Sequence, residues 1–181
     1  MKFVDSHHDS WHQAVGEDGP IQQPAPRPKL LLTLEQWHAV RESWPAGLAT
    51  GVIVPNTVDI ETLAPDLPRL SLVVLQFPKW IDGRAYSQAR LLHSRYRFGG
   101  EIRATGDVVV DMMPLLARTG VNAVVLRHDQ KQSSAERALN FFPGHYQGDV
   151  QQTQPSFARD LPSELAARAA QRADAFAGEG I

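Results

Sequence analysis

The sequence predicts an α/β fold, a mostly parallel sheet of four to six strands built from βαβ units with flanking helices. Three observations carry this. Short, largely apolar runs recur at 51–54, 71–77, 101–105 and 123–126, as expected of strands buried on both faces. Stretches with helical spacing lie between them, and Gly or Pro marks the joins. A closed eight-stranded barrel needs about 200 residues or more, and the chain has 181. An open sheet is therefore favoured, with a half-barrel as the alternative.

Taken in order, residues 1–29 read as an irregular arm with a short strand at Met1–Val4. Pro20, Pro24, Pro26 and Pro28 deny regular structure to most of the rest. Residues 30–142 form the α/β domain. Leu30–Leu32 is a brief strand. Thr33 and Gln36 make a capping box ahead of the stripe Leu34, Trp37, Val40 and Trp44. A short helix is expected over 57–63 with Asp59 near its start. The strand at 72–77 stops at Pro78, and Asp82-Gly83 opens a helix that Gly99-Gly100 ends. The helix expected over 108–118 contains Pro114, which kinks or divides it, and Gly120 caps it. Ser133 is the expected cap of a last domain helix from Ala135 to about Phe142. Residues 143–181 read as an extended tail followed by an alanine-rich helix over 163–177, whose thin apolar face suits self-association in a homo-oligomer.

Composition narrows the function classes. There are no cysteines, which removes thiol catalysis and Cys-ligated metal centres and fits a cytoplasmic location. A net charge of −2 gives no electrostatic case for nucleic acid or an anionic membrane. No apolar run approaches the roughly 20 residues of a membrane span, and the N-terminus has no signal-peptide h-region. No GxGxxG, Walker loop or GxSxG occurs, so no nucleotide cofactor is expected. His7, His8, Asp9 and His12 carry metal-ligating atoms, but nothing fixes them on one helix face. A solvated N-terminal segment is the simpler reading, and no metal is expected.

In parallel α/β sheets, ligands bind beyond the C-terminal ends of the strands. Those ends supply Asn56, Pro78-Lys79-Trp80, Thr105-Gly106-Asp107 and Arg127-His128-Asp129. The candidate ligand-binding residues are Lys79, Asp82, Gly83, Arg84, Tyr86, Ser87, Arg90, Arg103 and Asp107. Arg84 and Lys79 are placed to clamp an anion at the start of the central helix. Asp82 is the natural competitor for the same charge. Gly83 is expected in a tight turn intolerant of a side chain. A hydroxyl of Tyr86 or Ser87 is expected to bond a strand-end group such as Asp107. His128 is the one histidine at a strand end.

The stretch FPKWIDGRAYSQARLLHSRYRFGGEIRATGDV resembles the signature of the bacterial family catalogued as domain of unknown function 934. Members typically carry FPKFxDGRxYSxARLLR, then GELRAxGxV. The likeness covers residues 51–127 well. Phe77, Pro78, Lys79, Asp82, Gly83, Arg84, Tyr86, Ser87, Ala89, Arg90, Leu91, Leu92, Gly100, Arg103 and Gly106 match. Val110 stands where members often have arginine, and Thr119 where they have cysteine, so that cysteine is not essential here. The resemblance implies no established activity. It implies genes beside a sulfite or nitrite reductase, and a description as oxidoreductases or accessory proteins of sulfite reduction.

Three functions compete. The first is an accessory or binding protein for a sulfite or nitrite reductase, without a redox group of its own. The second is a small enzyme acting on an anionic substrate at the strand rim. The third is a non-catalytic oligomeric scaffold.

Overall fold

The computed structural model describes residues 1–16, 19–142, 144–158 and Ala166. The arm supplies β1 (Lys2–Phe3), β2 (His12–Gln13) and a small hairpin of β3 (Val15–Gly16) and β4 (Gly19–Pro20). Next come β5 (Leu30–Thr33), α1 (Leu34–Val40), β6 (Thr50–Val54) and β7 (Leu72–Phe77). The chain continues through α2 (Arg84–Arg90), β8 (Glu101–Gly106), α3 (Met113–Thr119), β9 (Ala123–Val124) and α4 (Gln132–Phe141).

Seven of these strands form one all-parallel, curled half-barrel sheet in the order β1-β9-β8-β7-β6-β5-β2. The α/β reading therefore holds, with more strands than expected. The arm supplies, as β1, the strand expected within Met1–Val4 and, as β2, one strand that was not expected. It provides both edges of the sheet, β1 on β9 and β2 on β5.

That placement forces the curl. Nine residue steps from Phe3 to His12 reach at most ~30 Å when fully extended. Six inter-strand steps across a flat sheet measure about 29 Å. The connecting strap is not extended, because the His8 N–H turns back to the Asp5 carbonyl at 3.2 Å. The two edges must therefore approach one another.

Pairing register separates the faces. Leu32, Val52, Val73 and Ile102 lie in one row, and they pack with the helices in the main core. The other face carries Leu31, Gly51, Leu72 and Glu101 in one row, then Ile53, Val74, Arg103 and Ala123 in the next. Trp11 of the strap packs on this second, concave face against Leu31, Leu72 and Val74.

Local signals resolve as follows. Thr33 caps α1 and the reciprocal bond from Gln36 is present. Gln36 also donates to the carbonyls of Ala14 (2.9 Å) and Ile21 (2.8 Å), tying the arm to the helix. Asp59 caps a 3-10 turn at Ile60–Leu63. Pro114 divides its segment into a 3-10 turn, Val110–Met112, and α3, and left-handed Gly120 closes it. Ser133 is not a cap. It lies inside α4, which begins at Gln132 after Lys131. The segment after α4 is anchored rather than freely extended. Asp149 is buried, accepts the N–H groups of Gln151 and Gln152, and pairs with Arg118 and His145. The helix expected over 163–177, and the self-association assigned to it, lie outside the described residues apart from Ala166. No helix among the described residues is long and apolar enough to cross a membrane.

Candidate functional site

The strand ends meet in a polar collar. Pro78 stops β7, and the chain loops through Lys79, Trp80 and Ile81 before entering α2. Ala85, Gln88 and Ala89 form the buried face of α2. Two alanines let it lie close to the sheet. Gln88 donates to the carbonyls of Pro55 (2.9 Å) and Val58 (2.8 Å), locking the loop after β6 against the helix. Tyr86 packs edge-on to Phe77, with ring centroids 5.1 Å apart.

Two carboxylates organise the loop between them. Asp82 accepts Asn56 Nδ2 at 2.8 Å, Arg84 Nε at 3.0 Å and Arg84 Nη2 at 2.7 Å. Asp107 accepts the Trp80 N–H at 2.9 Å and Arg127 Nη1 at 2.6 Å. Arg127 also makes a two-pronged contact with Asp129, at 2.6 and 2.7 Å. The ends of four neighbouring strands, β6 to β9, are thus cross-linked through side chains.

The electrostatics follow. The Arg84 hydrogen bonds hold the Asp82 carboxyl well below its usual range. The Trp80 N–H and then Arg127 lower that of Asp107. Arg127 does the same to Asp129, and both partners raise the guanidinium in return. Every shifted rim carboxyl moves away from neutrality, which suits fixed counter-ions rather than proton shuttles.

The residues singled out from sequence divide into groups. Asp82, Gly83, Arg84 and Asp107 do converge on the rim. Arg84 is engaged by Asp82, so a small anion there meets an already neutralised pair. Gly83 does not occupy a strained turn: its φ is −82°, and an added Cβ would meet only a Tyr86 ring atom at 3.8 Å. Gly106 is the constrained position, with φ +98° and an added Cβ 2.4 Å from the Phe77 carbonyl oxygen. Neither Tyr86 nor Ser87 bonds Asp107, whose partners are Trp80 and Arg127. Tyr86 is half-buried on Phe77, and burial raises its phenol pKa. Ser87 is exposed. Lys79 is exposed at the rim, whereas Arg90 lies at the far end of α2 beside His93 and Arg97.

Arg103 lies on the concave face and is only 2% exposed. Its Nε donates to Glu101 at 2.6 Å, and its Nη1 pairs with Asp9 of the strap. Asp9 is thus a structural partner, not part of a solvated segment. An arginine in a buried strand demands a carboxylate, and that was the signal in the sequence. Among the described residues, no group of three or more His, Asp or Glu could hold a metal ion.

Beside the collar lies an open cleft of about 550 Å³, lined in part by Asp5, Ser6 and His7 of the strap and by Arg127, His128 and Gln130. The His8 ring nitrogen lies 2.6 Å from Asp5, whose carboxyl is lowered by that contact.

The loop leaves two large apolar side chains uncovered. Trp80 is 56% exposed and Ile81 68% exposed. Sequence reasoning named Trp80 only as a strand end, because exposure is not encoded locally.

A search of curated proteins finds no match. A family model described as bacterial protein of unknown function matches residues 51–157, more than half of the chain and the whole of the collar. The chain therefore belongs to the bacterial family DUF934.

Proposed function

We propose that this is an accessory protein of sulfite reduction, and that it docks on a sulfite or nitrite reductase through the Trp80 loop. One observation carries the docking part: a tryptophan and an isoleucine stand exposed on a loop whose backbone is tied to Asp107 and whose exit is tied to Asp82. Exposed aromatics on a pre-organised support are the usual anchors of protein interfaces. The family pattern also has an aromatic at the position of Trp80. The choice of partner rests on the resemblance set out above. The rim chemistry is consistent with binding rather than turnover, because the carboxylates of Asp82, Asp107 and Asp129 are engaged by Arg84 and Arg127.

The test is co-purification of the tagged protein with the reductase of its own host. A stoichiometric complex, weakened more than tenfold by Trp80→Ala with the fold intact, supports the proposal. A bound small molecule with no protein partner favours instead an enzyme acting on an anionic substrate, for which the open cleft is the available space.

A further inference from the structure

We infer that the concave face of the half-barrel is a receptor for a carboxylate followed by an aromatic ring, and that the N-terminal strap occupies it as an internal ligand. The floor is built for an anion. Arg103 Nη1 takes Asp9, Nε takes Glu101, and Nη2 lies 2.5 Å from Glu101 Oε1 without an aligned hydrogen bond. Lys2 binds the other oxygen of Glu101 at 3.0 Å. Without Asp9 the cluster holds two cations, Lys2 and Arg103, against the single anion Glu101. Its net charge then favours an incoming carboxylate. An apolar notch lies nearby. Gly51 has no side chain, and an added Cβ would meet Trp11 at 3.2 Å, Leu72 at 3.2 Å and Leu31 at 2.9 Å. The indole therefore sits directly over backbone.

The strap is held in a way that allows exchange. Its ends are fixed by backbone bonds, Val4 N–H to Val124 and His12 N–H to Lys29. Between those anchors its backbone bonds turn inward, from His8 to the Asp5 carbonyl, His7 to the Asp5 side chain and Trp11 to the Asp9 side chain. Asp9 and Trp11 make its contacts with the floor, and both act through side chains alone. Another chain could supply the same two groups in trans. Farther along the same face, Thr105 pairs with Gln76, and Gln76 is exposed, so the mouth of the face is open beside the strap.

The probes are acetate and a synthetic peptide of residues 5–13, measured against wild type, Asp9→Ala and the isosteric Asp9→Asn. The variants should bind the peptide at least tenfold more tightly than wild type, whose own strap competes as a tethered ligand. The same peptide carrying Asp9→Ala should lose that advantage. Acetate should raise the melting temperature of Asp9→Ala saturably, and chloride should not. Asp9→Asn keeps the packing and supplies the same comparison if Asp9→Ala fails to fold. Equal peptide affinity in wild type and variant, absence of binding to both, or an equal response to chloride overturns the inference.

Discussion

The carboxylate of Asp107 accepts the backbone N–H of Trp80 at 2.9 Å, so a side chain on the end of one strand fixes the loop that leaves its neighbour. Arg127 in turn fixes Asp107 at 2.6 Å. Asp107→Asn keeps the size of the side chain and removes its charge, and Arg127 then loses one of its two carboxylates. Faster hydrogen exchange at the Trp80 and Ile81 amides is expected, with little change in overall melting temperature. Unchanged exchange at both amides would show that the loop is rigid by itself.

Glycine tolerance should differ sharply across the rim. Gly106→Ala forces a left-handed backbone on alanine and drives its Cβ into the Phe77 carbonyl, a cost of at least about 2 kcal/mol. Gly83→Ala should lie within roughly 0.5 kcal/mol of wild type, as at an unstrained exposed position. Urea denaturation of both variants checks the contrast, and equal losses would contradict it.

Arg103→Met leaves Asp9 and Glu101 facing an apolar side chain. Breaking a buried ion pair from one side costs about 3 kcal/mol or more. Asp9→Asn should cost less, because Glu101 still compensates Arg103. Denaturant midpoints order the two variants, and a reversed order would mean that Asp9, not Arg103, centres the cluster.

The rim should respond to acid in one direction. Asp82, Asp107 and Asp129 are held below the ordinary carboxylate value in the folded protein. Such groups stabilise the fold fully above about pH 4, the unfolded value. That contribution is lost as pH falls through the depressed values. Trp80 emission, taken as the difference between wild type and Trp80→Phe, should be constant from pH 8 to 5 and change only below about pH 4. A transition centred well above pH 5 would show that these carboxylates do not hold the loop.

Legibility in the sequence followed the range of the interaction. The Thr33–Gln36 capping box and the Gly120 stop are set within a single turn of chain, and both stand as read. The central strands were visible because burial on both faces leaves an apolar run. Gly106 was missed because its constraint comes from the backbone of Phe77, on the adjacent strand. Gly83 was misjudged because a glycine between strand and helix need not take a positive φ. The Asp9–Arg103 pair was hidden because it depends on where the strap crosses the sheet. At Arg84 both the anion clamp and its competitor Asp82 were legible, and the two-residue spacing lets the aspartate turn back on the guanidinium and take it.

The two sheet edges also set an order of events during synthesis. β2 needs only the segment at Leu30–Thr33, which leaves the ribosome shortly after it. β1 emerges first, yet Lys2 pairs with Ala123, among the last sheet residues to be made. Long-range parallel pairing is slow in any case. The growing chain must therefore carry an unpaired N-terminal strand, with Asp9 and Trp11 close behind it, until β9 is released. Asp9 and Trp11 find their partners on earlier strands, so in a chain truncated before Ala123 it is Lys2 and Phe3 that lack a strand to pair with.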